Sequence, residues 1–302
     1  MKKNNINLSG IFPPIPTSFD KNGDLALDQV RKNIKFYNKF DLRGYVVLGS
    51  NGEFVLLEDD EKISLIRAIK KSMPSGKPLL AGVGCQSTDA TIRLCRHAAN
   101  SGADAALVIT PSYYKGKMTD TALYEFFTCV SNSSPLPVIL YNMPACTGID
   151  LSADLVMSLA DHPNIIGLKD SGGNVAKMGE IVQKVSSDFQ VLAGSAGFLL
   201  PALAIGAVGG ILALANIAPT HCLLIHQMFL EGNWKESKLL QTSLISLNQA
   251  ITRIGGVPAL KSAMDYLGLY GGPVRGPLLP AGIEEVLKIK TLLKEAGINK
   301  VN

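Results

Sequence analysis

Eight short apolar runs recur along the chain, at 10–16, 44–48, 78–83, 105–109, 138–141, 165–168, 190–193 and 209–214. Between them lie seven amphipathic stretches, at 27–40, 59–71, 87–100, 120–131, 152–160, 175–185 and 198–205. This alternation constrains the fold more than any other feature. Runs that are apolar throughout suit strands of a parallel sheet with helices on its outer face. In 59–71, Ile63, Ile66 and Ile69 share one helical face while Lys62, Arg67, Lys70 and Lys71 lie elsewhere. Ser87 and Ser152 stand where N-caps belong. Eight strands with intervening helices predict an α/β fold, a (β/α)8 TIM barrel. After residue 219 the pattern is helical only, at 220–230, 234–253, 258–267 and 283–295. Residues 1–218 are therefore read as the barrel, and 219–302 as additional C-terminal helices packed on it in one compact domain. An open doubly wound sheet would carry a glycine-rich phosphate turn after its first strand. Thr17-Ser18-Phe19-Asp20 follows instead, and no P-loop motif occurs.

Residues 189–220 contain no charged side chain, long enough on paper to span a bilayer. Pro201, Pro219 and glycines including Gly194, Gly206, Gly209 and Gly210 cut the stretch into strand, short helix and strand. No membrane span is expected. Lys+Arg 29 against Asp+Glu 25 gives a net +4, and the basic residues, beyond the Lys2–Lys3 and Lys70–Lys71 pairs, form no stripe. Nucleic-acid binding is not expected either. The five cysteines are scattered, with no C-x-x-C, which points to free thiols in a reducing compartment. Residues 1–10 lack the apolar core of a secretory leader, and the expected location is cytoplasmic. The four histidines form no H-x-H or H-E-x-x-H, so no metal site is expected.

In a barrel the chemistry sits at the C-terminal strand ends. Lys169 terminates the apolar run 165–168 there. Burial at that place favours the neutral amine, which attacks a ketone to form a Schiff base. The plainer alternative is a lysine snorkelling to solvent or paired with Asp170. Tyr141 and Tyr113 put hydroxyls at neighbouring strand ends, and Ser50 is placed to link them into a proton relay. Either tyrosine is equally readable as a packed aromatic. The glycine-flanked Ser50-Asn51 turn is suited to presenting backbone N–H groups to a carboxylate, or is a plain tight turn. Glu53 opens the next helical region and reads as structural.

Three motifs carry a resemblance: Gly-Ser-Asn-Gly-Glu at 49–53, Tyr-Asn-Met-Pro at 141–144 and Lys-Asp at 169–170. Together they resemble the dihydrodipicolinate synthase/N-acetylneuraminate lyase superfamily, over nearly the whole chain. The resemblance implies a (β/α)8 class I aldolase without cofactor, a carbon–carbon lyase that handles pyruvate as a lysine Schiff base. It also implies a homotetramer built as a dimer of dimers. Carried over by position, Lys169 is the Schiff-base lysine and Tyr141 the general acid/base. Ser50 and Asn51 hold the pyruvate carboxylate, with Ser50 also in the relay. Tyr113 is the relay tyrosine that reaches into a neighbouring subunit's site, with Tyr114 the alternative if the loop register differs by one.

The synthase branch carries an arginine two residues after the Tyr-Asn-x-Pro proline, where this chain has Cys146. Stretches 169–173, 194–198 and 271–273 resemble the 4-hydroxy-2-oxoglutarate aldolase branch instead. There Ser171 contacts the distal carboxylate side of the substrate, and Gly194 is counted among the substrate-binding residues. The expected reaction is reversible cleavage of 4-hydroxy-2-oxoglutarate to pyruvate and glyoxylate. The partners are then a 2-oxo acid and an aldehyde. Alternatives are condensation of pyruvate with aspartate semialdehyde, cleavage of a 2-keto-3-deoxy sugar acid, or a non-catalytic barrel that binds a keto acid.

Overall fold

The structure, a computed structural model, describes residues 6–300. The Lys2–Lys3 pair and half of the stretch 1–10 lie outside the described residues. Eight strands form one sheet: β1 (Gly10–Phe12), β2 (Tyr45–Val47), β3 (Leu79–Gly82), β4 (Ala105–Ile109), β5 (Val138–Asn142), β6 (Ile165–Asp170), β7 (Gln190–Ala193) and β8 (Gly209–Ile211). All pairs are parallel, in the order β1-β8-β7-β6-β5-β4-β3-β2. A bridge between Pro14 and Val46 joins the two ends, with Ile15 N–H bonded to the Val46 carbonyl at 2.8 Å. The (β/α)8 barrel expected from the alternation is the fold observed.

Helices α1 (Leu27–Tyr37), α2 (Asp59–Ser72), α3 (Thr88–Asn100), α4 (Asp120–Ser133), α5 (Pro144–Thr147), α6 (Ala153–Ala160), α7 (Val175–Lys184) and α8 (Leu199–Ala204) fall between successive strands. Ser87 and Ser152 do cap α3 and α6, accepting from Ala90 N–H at 3.2 Å and Leu155 N–H at 3.1 Å. The uncharged stretch 189–220 forms β7, α8 and β8, and among the described residues no helix is long and apolar enough to cross a membrane. β1 stops four residues short of the expected 10–16 because Pro13, Pro14 and Pro16 have no N–H to donate to a ladder.

The C-terminal helices are α9 (Pro219–Leu230), α10 (Trp234–Ser243), α11 (Ile245–Gln249), α12 (Gly256–Leu267) and α13 (Ile283–Glu295). The stretch read as a single helix over 234–253 breaks after Ser243 and widens into a π turn at Ala250–Ile254. Hydroxyl back-bonds from Thr242, Ser243 and Thr252 to carbonyls three or four residues earlier accompany the break.

Two apolar layers divide the core. Phe12, Val46, Leu80, Leu107, Ile139, Tyr141, Leu192 and Ile211 fill the barrel interior. A larger cluster packs the outward strand faces against the helices. One irregularity bears on the site. Val138 pairs with Ile165 but Ile139 pairs with Gly167, so Ile166 is an extra residue in β6. From there Leu140 faces Leu168, Tyr141 faces Lys169 and Asn142 faces Asp170.

Candidate active site

β6 runs two residues further than the apolar run suggested, so Lys169 lies within the strand and not just past its end. It is buried, 3% exposed, on the interior side with Tyr141. The plainer alternative of a solvent-seeking or Asp170-paired lysine does not hold. Lys169 Nζ sits 3.9 Å above the centroid of the Tyr141 ring. The Tyr141 hydroxyl lies 3.3 Å from Ser50 Oγ, within hydrogen-bond reach. Three of the expected residues, on β5, β6 and the turn after β2, thus converge.

Asn51 follows in a 3-10 turn over Ser50–Gly52. Gly52 N–H closes onto the Gly49 carbonyl at 2.9 Å and Glu53 N–H onto that of Ser50 at 3.2 Å. Leu48 (φ 60°) and Glu53 (φ 55°) flank the turn in left-handed conformations. Among the described residues no other non-glycine residue has positive φ. Such backbone is strained and persists only where the surroundings hold it.

Ser171 and Gly194 meet at the next strand ends. Gly194 N–H bonds to the Asp170 carbonyl at 2.7 Å, and a Cβ on Gly194 would lie 2.0 Å from Ser171 Oγ. Gly194 is a packing requirement, and the buried Ser171 hydroxyl beside it has no protein partner. Tyr113 stands apart. Its side chain is 79% exposed and stacks edge-on with Tyr114 at 5.0 Å, while Gln86 Oε1 accepts its N–H at 2.8 Å. Within one chain, Ser50 links to Tyr141 but Tyr113 does not join them.

A cavity of about 520 Å³ opens at these strand ends, with Ser50, Tyr141, Thr110, Cys85, Lys62 and Cys146 in its wall. Burial pushes the Cys146 thiol up, against the opposing effect of a Ser50 hydrogen bond, so Cys146 offers a neutral thiol. A second concavity of about 500 Å³, beside Lys32 and Lys35 of α1 and Lys39 just after it, contains none of the site residues.

Asp170 points to the other face of the strand, fully buried. Its Oδ1 accepts Gly172 N–H at 2.7 Å, and its Oδ2 accepts from Asn142 Nδ2 at 3.1 Å and lies 3.5 Å from Lys177 Nζ. Lys177 also pairs with Asp150, to which Asn142 donates at 2.7 Å. Burial pushes the Asp150 carboxyl up, but the Lys177 and Asn142 hydrogen bonds and the Lys177 charge outweigh it, and its pKa is lowered. Asp170 therefore fastens the β5–β6 ends.

Glu53 is buried and ion-paired with Lys261 of α12, a contact that sequence reasoning missed. One signal was available: Lys261 falls three residues before Met264, on the buried face of its helix. Nothing local marked Arg275, whose N–H bonds to Glu53 Oε2 at 2.8 Å.

Residues 7–296 match the family model described as the dihydrodipicolinate synthetase family. The chain is similar to a probable mitochondrial 4-hydroxy-2-oxoglutarate aldolase of Emericella nidulans, 35% identical over 292 residues, 95% of this chain and 94% of that one. It is equally similar to a 4-hydroxy-tetrahydrodipicolinate synthase of Methanothrix thermoacetophila, 35% identical over 94% of this chain and 95% of that one. Among solved structures it resembles a dihydrodipicolinate synthase of Bacillus anthracis, with TM-score 0.92 and 31% identity over 96% of this chain and 98% of that one. By fold, motifs and extent of match, this chain belongs to the dihydrodipicolinate synthetase family and is an enzyme of the carbon–carbon lyase kind.

Proposed function

We propose that the chain is a Schiff-base aldolase that reversibly cleaves 4-hydroxy-2-oxoglutarate to pyruvate and glyoxylate. The observation that carries the chemistry is the convergence of Lys169, Tyr141 and Ser50 inside a barrel mouth. Lys169 Nζ attacks the C2 ketone, and loss of water leaves an iminium. Tyr141 takes the proton from the 4-hydroxyl as the C3–C4 bond breaks. The bonding electrons pass into the iminium to give an enamine, and glyoxylate departs. Protonation at C3 and hydrolysis release pyruvate and restore the amine. Ser50 relays the proton, and Asn51 with the turn N–H groups orients the C1 carboxylate. Ser171, whose hydroxyl lacks a protein partner, and Gly194 lie toward the distal end of the substrate.

The aldehyde partner is argued from Cys146. In the synthase branch an arginine there grips a carboxylate, and a neutral thiol forfeits about 1.5–3 kcal/mol of charge-assisted bonding. Condensation of pyruvate with aspartate semialdehyde is the second reading, favoured by the equal likeness to a protein named as a synthase. The exposed Tyr113 suits a relay across a subunit boundary, in a homotetramer. Five free cysteines suit a cytoplasmic setting.

The test measures pyruvate release from 4-hydroxy-2-oxoglutarate with a lactate dehydrogenase couple. It is run beside 2-keto-3-deoxygluconate cleavage and beside condensation with aspartate semialdehyde. A preference of about 100-fold in kcat/KM, worth about 2.7 kcal/mol, supports the assignment. No pyruvate release, with a borohydride-trapped pyruvate adduct still formed on Lys169, keeps the imine and overturns the aldehyde. Loss of the adduct in Lys169→Ala is expected; its persistence removes Lys169 from the mechanism.

A further inference from the structure

The Ser50–Asn51 turn does not stand on local interactions alone. Glu53, in its left-handed conformation, places a carboxylate in a fully buried site between the turn and the C-terminal helices. One oxygen meets Lys261 Nζ, and both side chains are at most 1% exposed. The other accepts the Arg275 N–H. Lys261 Nζ donates further to the Pro273 carbonyl at 2.7 Å and lies 4.6 Å above the Phe19 ring. The Arg275 guanidinium covers the same ring at 4.2 Å and forks onto Glu61 at 2.6 and 2.7 Å. It also donates to the Leu56 carbonyl at 3.0 Å, in the segment just after Glu53. On the other side of the turn, Thr17 Oγ1 donates to the Gly52 carbonyl at 2.6 Å.

Two positive and two negative charges close this cluster, so none is left buried without a counter-ion. The carboxylate of Glu53 takes its ion pair and its hydrogen bond from residues 261 and 275. A turn followed by a strained residue keeps its shape only while that residue is held.

We infer that Glu53 is a positioning residue for the substrate carboxylate. Lys261 and Arg275 lock it from the C-terminal extension, and it in turn sets the N–H groups and side chains of Ser50 and Asn51. The inference rests on the reading that this turn holds the pyruvate carboxylate. A barrel deprived of this lock keeps Lys169 and Tyr141 in place, since they stand on β5 and β6, but loses grip on pyruvate.

The test is borohydride trapping of the pyruvate adduct against pyruvate concentration, in the full chain. Glu53→Gln is measured with Glu53→Gln/Lys261→Met, which removes both buried charges so that neither remains unpaired. Circular dichroism and thermal unfolding establish that each variant is folded. The expected result is a rise of about tenfold in half-saturating pyruvate, about 1.4 kcal/mol. The trapping rate at saturation is expected to stay within about threefold, a split that a general loss of stability would not produce. A folded variant with wild-type half-saturation overturns the positioning role. Asn51→Ala separates the two ideas. If it too leaves half-saturation unchanged, the turn does not hold the carboxylate. If it raises half-saturation while the Glu53 variants do not, only the lock is wrong.

Discussion

Replacing Asp170 by Asn tests the proposal that this carboxylate fastens strands and does not act on its neighbour Lys169. The side chain keeps its shape, but an amide offers one acceptor oxygen where the site uses two. Gly172 N–H approaches one Asp170 oxygen at 2.7 Å and Asn142 Nδ2 approaches the other at 3.1 Å. Whichever way the new amide turns, its NH2 meets a donor, either Gly172 N–H or Asn142 Nδ2. One unsatisfied buried donor costs about 1–3 kcal/mol. Lys177 loses a contact at 3.5 Å but keeps Asp150, so the charge adds about 1 kcal/mol at most. The expected loss is about 1–4 kcal/mol, read from the midpoint of urea unfolding followed by circular dichroism at constant m-value. Turnover per folded molecule at saturating substrate should fall by less than about threefold, because the carboxylate faces away from the barrel interior. A destabilisation under about 0.5 kcal/mol would refute the fastening role. Lost turnover in a fully folded variant would mean that Asp170 acts on Lys169 through the strand.

Tyr141→Phe removes the hydroxyl bonded to Ser50 and should lower kcat by about 10²–10⁴ while borohydride still traps pyruvate on Lys169; equal turnover would transfer the proton to another group. Gly194→Ala places a methyl 2.0 Å from Ser171 Oγ and 2.6 Å from the Asp170 carbonyl, and should cost about 1–3 kcal/mol in urea unfolding. An unchanged midpoint would show that β7 yields freely at that point. The Arg275 hydrogen bonds to Glu61 hold its carboxyl below the usual range, against the opposing effect of burial. A depressed folded-state value stabilises above the unfolded pKa, about 4.3, and the stability is lost as pH falls through the folded value. Arg275→Met should therefore flatten the fall in urea midpoint below about pH 4.5; an unaltered slope would assign the acid sensitivity elsewhere.

The barrel was legible because its strands are apolar on both faces and separated by one-faced helices, a signal that local composition carries in full. Lys169 was legible as the first charge at the end of the apolar run 165–168. Its depth in the strand was not, because the register depends on an extra residue at Ile166 that no local pattern announces. Tyr113 and Tyr141 looked equivalent as hydroxyls at neighbouring strand ends, yet Tyr113 is exposed while Tyr141 is buried with its hydroxyl beside Ser50. Glu53 read as structural, but the partners that hold it lie more than two hundred residues away. Pairing at that range leaves no periodicity to detect. The break after Ser243 was hidden for a related reason: serine and threonine are acceptable in a helix until their hydroxyls turn back onto its carbonyls.

The bulge at Ile166 gives β6 two reading frames. Counted outward from Ile165, strict alternation would send Asp170 into the barrel and leave the amine of Lys169 among the helices. The extra residue exchanges them, so a carboxylate suited to tying down backbone faces Asn142 and an amine suited to meeting a ketone faces Tyr141. Deleting the extra residue would make β6 regular and still leave Lys169 opposite Tyr141, whereas the same six residues paired without a bulge would invert the molecule's chemistry.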